Sequence, residues 1–261
     1  MLTCRDTECI LRIRHATSFW LFLDYDGTLA DFAVNPDIVT PDTKLIELIS
    51  QLSRHPAFRV AIVSGRRLLH VRKLVPIYGI WLAGTYGIEL LNPLGEEVKR
   101  EKFDHIRSYL DEQKAEWEEL IAGLPGFYLE DKGWSLAIHA RLAPDELAEE
   151  LIASARKLAI EAVSETGLYL LGGHKFLEIC PSTIDKGSTV EYLLAKDPLP
   201  GSLPVYIGDD DKDELGFAAV KVGGGVAILT APGDRDTHAD CYLESPSDVR
   251  AFLAGLIADR S

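Results

Sequence analysis

The stretch "LFLDYDGTLADF", residues 21–32, decides how the rest of the chain is read. With Phe19 and Trp20 before it, its apolar part runs unbroken to Leu23. A continuous apolar run of this length suits a strand buried on both faces of a parallel sheet. The run stops on Asp24 and Asp26, one residue apart, followed by Gly27-Thr28. Two carboxylates at one strand end repel each other unless something holds or uses them. Working outward, "FRVAIVSGR" (58–66) predicts a second strand ending on Ser64-Gly65, and "IWLAG" (80–84) a third. "PVYIG" (204–208) ends on Asp209-Asp210, and a further strand is expected near 225–229. Between them lie helical patterns over 40–55, 67–75, 187–195 and 213–220, and from 246 onward. In the first, Thr40 is the expected N-cap and Pro41 a first-turn residue, with Leu45, Leu48, Ile49 and Leu52 on one face. The class is α/β, a Rossmann-like doubly wound parallel sheet.

The alternation breaks once. Residues 103–122 form an amphipathic helical pattern with Phe103, Ile106, Leu110, Trp117, Leu120 and Ile121 on one face. A hairpin over 126–141 is expected to turn at Asp131-Lys132-Gly133. Pro144 opens a second helix carrying Leu147, Leu151, Ile152, Leu158 and Ala162. A hairpin over 168–180 is expected to turn at Gly172-Gly173. Residues 104–180 therefore read as an α+β domain inserted into a core made of 1–103 and 181–261. Gly223–Gly225 lacks the Lys-Ser/Thr of a phosphate-binding loop and reads as a turn before a strand.

The 261 residues are 47% hydrophobic, enough to bury a sizeable core, and carry a net charge of −14. That charge repels phosphate backbones, so nucleic acid and membrane are not expected partners. No run approaches the roughly 18 apolar residues of a membrane span, and no signal-peptide pattern precedes the first strand. The four cysteines make no metal-ligand spacing and read as reduced cytosolic thiols, Cys180 among them buried. A cytoplasmic monomer is the expectation.

In an open parallel sheet, ligands bind outside the carboxyl ends of the strands. That rule brings Asp24-Tyr25-Asp26, Ser64-Gly65 and Gly208-Asp209-Asp210 to one crevice. Asp24, Asp26, Asp209 and Asp213 gathered there suit a hard divalent cation, Mg²⁺ where a phosphate shares the coordination. Lys186 opens a core helix, "IDKGSTVEYLL", and can bring a point charge to the same place. A carboxylate, a metal, a lysine and a serine hydroxyl suit phosphoryl transfer. Asp24 is the expected nucleophile. Asp26 is the expected acid/base, protonating the leaving alkoxide and then deprotonating the attacking water. Asp210 is equally well read as a helix-start charge.

These residues resemble the four signatures of the haloacid dehalogenase-like phosphatase superfamily: Asp24–Thr28, Ser64, Lys186 and Gly208–Asp213, in that order. The insert before Lys186 stands where that superfamily places its C2-type cap. Across roughly residues 19–253, "LDYDGTLADF", "VAIVSGRR", "GTYGIEL", "LEDKGWSLAIHAR", "KFLEICPSTIDKG" and "VYIGDDDKDELGF" resemble the trehalose-6-phosphate phosphatase family. The resemblance implies Mg²⁺-dependent hydrolysis of a small sugar phosphate through an aspartyl-phosphate, with the cap closing over the sugar. It implies sugar contacts from Glu130, Lys132, Lys175 and Glu178, and further substrate contacts from Thr28, Gly65, Arg66 and Arg141. Other outcomes within the same residues are a sucrose-, mannosylglycerate- or glucosylglycerol-phosphate substrate, or a non-catalytic sugar-phosphate sensor. The chain departs from the family pattern at three places. Tyr86-Gly87 replaces His-Gly, Lys212-Asp213-Glu214 replaces Thr-Asp-Glu, and His139-Ala140-Arg141 replaces His-Tyr-Arg. Tyr86 and Lys212 border the cleft, where they bear on sugar specificity.

Overall fold

The computed structural model describes residues 2–4, 7–32, 39–100, 106–173, 175–233 and 235–260, with backbone alone at 161, 162, 164 and 165. Phe103 and the side chain of Ala162 lie outside the described residues. In chain order the elements are β1 (Thr3–Cys4), α1 (Thr7–His15), β2 (Phe19–Leu23), α2 (Thr43–Arg54), β3 (Phe58–Val63), α3 (Leu68–Leu74), β4 (Trp81–Gly84), β5 (Glu89–Leu91) and β6 (Glu97–Lys99). Then come α4 (Arg107–Ile121), β7 (Tyr128–Asp131), β8 (Leu136–His139), α5 (Asp145–Thr166), β9 (Leu168–Gly173) and β10 (Phe176–Pro181). The chain continues through α6 (Lys186–Lys196), β11 (Leu203–Gly208), α7 (Glu214–Val222), β12 (Val226–Thr230), β13 (Cys241–Leu243) and α8 (Pro246–Ala258). It divides into two compact units, one of 1–98 with 185–261, the other of 99–184.

The first unit is built on a nine-stranded sheet in the order β1-β13-β12-β11-β2-β3-β4-β5-β6. The strands from β13 to β4 are parallel, while β1 and β5 run antiparallel to their neighbours. All five residues of β2 are 0% exposed, which accounts for its lack of polar alternation. Phe19, Leu21 and Leu23 pack with Leu45, Ile49 and Leu52 of α2 and Leu253 of α8. Trp20 and Phe22 face the opposite side, with Val190 and Leu193 of α6 and Phe217 of α7. This is a doubly wound α/β core.

Two local expectations are corrected here. The N-cap of α2 is Asp42, whose carboxylate accepts from the Lys44 and Leu45 amides; Thr40 and Pro41 precede the helix. A carboxylate at that position satisfies two of the orphan amides, which a threonine two residues earlier cannot reach. The cysteines are not all reduced: Cys4 and Cys241 form a disulfide. They stand opposite each other where β1 pairs with β13, a juxtaposition created by sheet order alone across 237 residues of chain. Cys9 and Cys180 are buried and not disulfide-bonded. Thiol titration of the denatured protein should find two reactive groups without reductant and four after reduction. In the loop-closure view the bond stabilises by at most about 5 kcal/mol.

The second unit carries a four-stranded antiparallel sheet, β7-β8-β10-β9, with α4 and α5. Trp117 of α4 is fully buried and donates from Nε1 to the Ala155 carbonyl, 3.1 Å away. That close approach explains why α5 buries Ala148, Ala155 and Ala159 beside Leu151, while the expected core residue Leu158 is 43% exposed. The second hairpin turns past the expected glycines. Gly172 and Gly173 pair with Leu177 and Phe176 inside the sheet. Arg156 of α5 occupies the space a side chain at 172 would need.

Arg107 and Lys114 of α4 bind Asp131 at 2.8 and 3.2 Å, and Arg107 also binds Asp111. The Arg107 guanidinium holds the Asp131 carboxyl well below its ordinary 3.8. A depressed carboxyl pKa contributes stability that is present above the ordinary value and lost as pH falls through the folded one. Arg107→Gln should therefore cost about 1 kcal/mol between pH 5 and 8, after allowance for solvent screening. In chemical denaturation the gap from wild type should begin to narrow below about pH 4 and go on narrowing as pH falls further. No helix among the described residues is long and apolar enough to cross a membrane.

Candidate active site

The carboxyl ends of β11, β2 and β3 lie side by side, since Leu23 pairs with Ile207 on one flank and Ile62 on the other. The Asp24 amide continues the ladder by donating to the Ile207 carbonyl at 2.9 Å. Each motif therefore begins where its strand's pairing runs out.

Lys186 is the first residue of α6. Asp185 caps that helix in a box with Ser188, which fixes where the helix starts. The Lys186 ammonium donates to Asp24 Oδ1 at 2.7 Å and to Asp213 Oδ1 at 2.6 Å. Tyr206 of β11 donates to the same Asp213 oxygen at 2.7 Å, and the Asp209 and Asp210 amides donate to Asp213 Oδ2, each at 3.1 Å. An ionised carboxylate offers about four acceptor positions. Those of Asp213 are filled, and its side chain is fully buried. Thr28, also fully buried, donates to Asp209 Oδ1 at 3.1 Å.

Burial raises the Asp24 carboxyl well above its ordinary value; Lys186 opposes the shift, and Asp213, Asp209 and Asp210 add to it. Burial, then Asp213 and Asp210, push Asp209 up to about 7. Burial also raises Asp213, against Lys186. Burial alone would lower Lys186, but Asp213 and Asp24 hold it well above the usual lysine value. The site thus has more buried negative charge than its lysine neutralises.

Carboxylate oxygens of Asp24, Asp209 and Asp213 lie within 4.8 Å of one another, a donor set that fits a hard divalent cation. Asp24 and Asp209 carry the oxygens left open for it, whereas Asp213 would have to give up an existing bond. Asp26 is not brought into this trio. Arg66 binds it with both arms of its guanidinium, Nε to Oδ2 and Nη2 to Oδ1, each at 2.6 Å. Ser64 accepts the Arg66 amide on Oγ at 3.1 Å, so Ser64, Arg66 and Asp26 form a connected set. Gly65 lies between the first two. Asp210 caps the short 3₁₀ turn Asp211–Asp213 through the Lys212 amide, as its helix-start reading expects.

In the second unit, Glu130, Lys132 and Glu178 come together and Lys175 does not. Lys132 donates to Glu178 Oε1 at 2.9 Å and stands 3.9 Å from Glu130; Ser135 reaches the same Glu178 oxygen at 2.7 Å. Lys175 instead binds Asp145 and the Ala143 carbonyl, each at 2.6 Å. Arg141 is exposed. His139 joins Glu130 at 3.0 Å and is flanked by the rings of Tyr128 and Phe176. It was missed as part of this set. Strand alternation could have found it, because His139 lies two residues from Ala137, which pairs with Glu130 and Glu178. Tyr206 was missed too, and no local pattern marks it.

A family model described as Trehalose-phosphatase matches residues 22–247. Among curated proteins, the chain is similar to a trehalose-phosphate phosphatase of Mycobacterium marinum, 34% identical over 250 residues. The match covers 92% of this chain and 62% of that protein, so the chain spans less than two thirds of that relative. It is also similar to a probable trehalose-phosphate phosphatase C of Arabidopsis thaliana, 31% identical over 261 residues, covering 96% and 80%. Among solved structures, the C-terminal domain of C. albicans trehalose-6-phosphate phosphatase shares the fold with a TM-score of 0.85 at 20% identity, covering 98% of each chain. A trehalose-6-phosphate phosphatase related protein does so at 0.76 and 23%, covering 92% of this chain and 97% of that one.

Proposed function

Because the chain belongs to the trehalose-phosphatase family, we propose that it hydrolyses trehalose 6-phosphate to trehalose and phosphate, in a Mg²⁺-dependent reaction through an aspartyl-phosphate on Asp24. The observation that carries this reading is the single lysine that bridges Asp24 to Asp213 in a buried site beside Asp209.

Asp24 attacks phosphorus, and the bond from phosphorus to the sugar oxygen breaks. Asp26, once released by Arg66 and protonated from solvent, supplies the proton that the departing alkoxide needs, releasing the sugar. Asp26 then takes a proton from water as that water attacks the phosphoryl group, and phosphate leaves Asp24. Lys186 keeps Asp24 oriented and neutralises charge as it moves onto the phosphoryl oxygens. Ser64 and the adjoining backbone amides bind those same oxygens. Arg66 is bound to Asp26 before substrate arrives. A phosphate dianion competes for the guanidinium, and its transfer to the phosphoryl group would release Asp26 for proton transfer. Asp24 and Asp209 would hold the divalent cation, with Asp213 beside them. When bound, the cation offsets the carboxylate charge and polarises a phosphoryl oxygen.

For the sugar, Glu130 and Lys132 of the second unit supply charged groups that hydrogen-bond hydroxyls more strongly than neutral ones do. Glu178, with no exposed surface, orients Lys132. The substrates to compare are trehalose 6-phosphate, sucrose 6-phosphate, glucose 6-phosphate, mannosyl-3-phosphoglycerate and p-nitrophenyl phosphate, assayed for phosphate release with Mg²⁺ and with chelator. Mg²⁺-dependent preference for trehalose 6-phosphate is expected. Release from p-nitrophenyl phosphate alone would keep the chemistry and discard the sugar, and inactivity on every ester would discard both.

A further inference from the structure

Thr85 and Tyr86 have φ angles of 47° and 61°, although neither is glycine. Left-handed backbone is unfavourable for a side-chain-bearing residue, so it persists only where its surroundings enforce it. Here the enforcement comes from the candidate active site. The Tyr86 amide donates to the Ser64 carbonyl at 2.9 Å, and the Thr85 amide donates to the Arg66 carbonyl at 2.7 Å. From the other side, Thr189 of α6 donates its hydroxyl to the Tyr86 carbonyl at 2.7 Å. The strained turn is thus clamped between the Ser64 turn and the helix that begins with Lys186.

The clamp lays the Tyr86 ring against Gly65. A Cβ at 65 would stand 2.9 Å from a ring carbon and 3.1 Å from the phenol oxygen, so residue 65 has to lack a side chain for the ring to lie there. Tyr86 is 4% exposed. Its phenol oxygen accepts a hydrogen bond from Lys212 Nζ at 3.2 Å, and the same ammonium lies 5.6 Å from the ring centroid. One hydroxyl therefore touches both the Ser64–Gly65 turn and a lysine from the Asp211–Asp213 turn.

Charge indicates what the contact is for. Asp24, Asp26, Asp209, Asp210 and Asp213 bring five negative charges when all are ionised. Lys186 and Arg66 bring two positive ones, and both are bound to those carboxylates. Even with a divalent cation bound the site stays net negative, so an entering phosphate dianion needs further positive charge, and Lys212 is a third cationic side chain at its edge.

Resting on the phosphatase reading above, we propose that Tyr86 and Lys212 form one binding element for the phosphorylated end of the substrate. Lys212 contacts the phosphoryl group, and the strained Tyr86 holds it there.

The test is calorimetric titration of inorganic phosphate in the presence of Mg²⁺, with KM and kcat for p-nitrophenyl phosphate measured alongside. Lys212→Ala should weaken phosphate about tenfold and raise KM by a similar factor, with kcat changed less than about threefold. Lys212→Arg should recover most of the loss. Tyr86→Phe should weaken phosphate about threefold, and adding it to Lys212→Ala should weaken it no further, since the two act as a unit. If Lys212→Ala loses its melting transition, Lys212→Gln provides the same comparison at nearly the native side-chain length. Unchanged phosphate affinity, or losses that add in the double variant, would overturn the proposal. Phosphate binding that is lost in Lys212→Ala, in a protein that releases phosphate from no ester, would support the binding element and overturn the phosphatase reading.

Discussion

Asp24→Asn should lower phosphate release by at least about 10³-fold with the fold retained. Asparagine keeps the shape and an acceptor for Lys186 but cannot attack phosphorus. Stability should not suffer. Burial, opposed by Lys186 and assisted by three neighbouring aspartates, holds the Asp24 carboxyl well above its ordinary value, so towards neutral pH this group costs the folded state free energy. For a raised carboxyl the penalty is absent below the ordinary pKa and grows as pH climbs through the folded one. The neutral side chain removes that penalty, so the melting temperature should equal or exceed wild type at pH 7. Turnover at the wild-type rate would take the nucleophile role away from Asp24.

Lys132→Ala should destabilise the second unit by about 3–5 kcal/mol, the usual cost of breaking a buried ion pair. The reason is Glu178, which has no exposed surface and would lose the ammonium 2.9 Å from its Oε1 while keeping the Ser135 hydroxyl. Pairing Lys132→Met with Glu178→Gln should recover most of the loss, because no uncompensated charge is then left buried. Urea denaturation of the three proteins measures this, and an unchanged midpoint in Lys132→Ala would show that the pair carries no stability. This cost also means that a change in KM in Lys132→Ala cannot be assigned to sugar binding by itself.

What could be read from the sequence follows the range over which each interaction acts. The buried strand at 19–23 and the clusters after it were legible because burial on both sheet faces removes polar residues locally, and strand ends are marked by the residues themselves. Asp24, Asp209 and Asp213 were placed together by one topological rule, and they stand together in the structure. The same rule placed Asp26 with them, whereas Arg66, forty residues away, binds both of its oxygens. Leu158 was read as core from hydrophobicity, but the close approach of Trp117 favours alanines on that face of α5. Gly172-Gly173 reads as a turn, whereas the register pairs both inside the sheet, with the tip of the Arg156 side chain over 172. The Cys4–Cys241 bond, the Tyr206 hydrogen bond and the Tyr86–Lys212 contact depend on three-dimensional proximity and leave no local pattern.

The disulfide lies at one margin of the nine-stranded sheet, where β1 is only two residues long and covers one side of β13. A bare margin presents unpaired amides and carbonyls to any other extended chain. Clipping a two-residue strand over β13 denies that row to other molecules and leaves β1 itself too short to template much pairing. Cys241 sits in one of the two cores and Cys4 packs against it, while the rest of both cores is made by other residues. Reduction should therefore show itself first as association between molecules, with light scattering at raised protein concentration increasing before any loss of secondary structure.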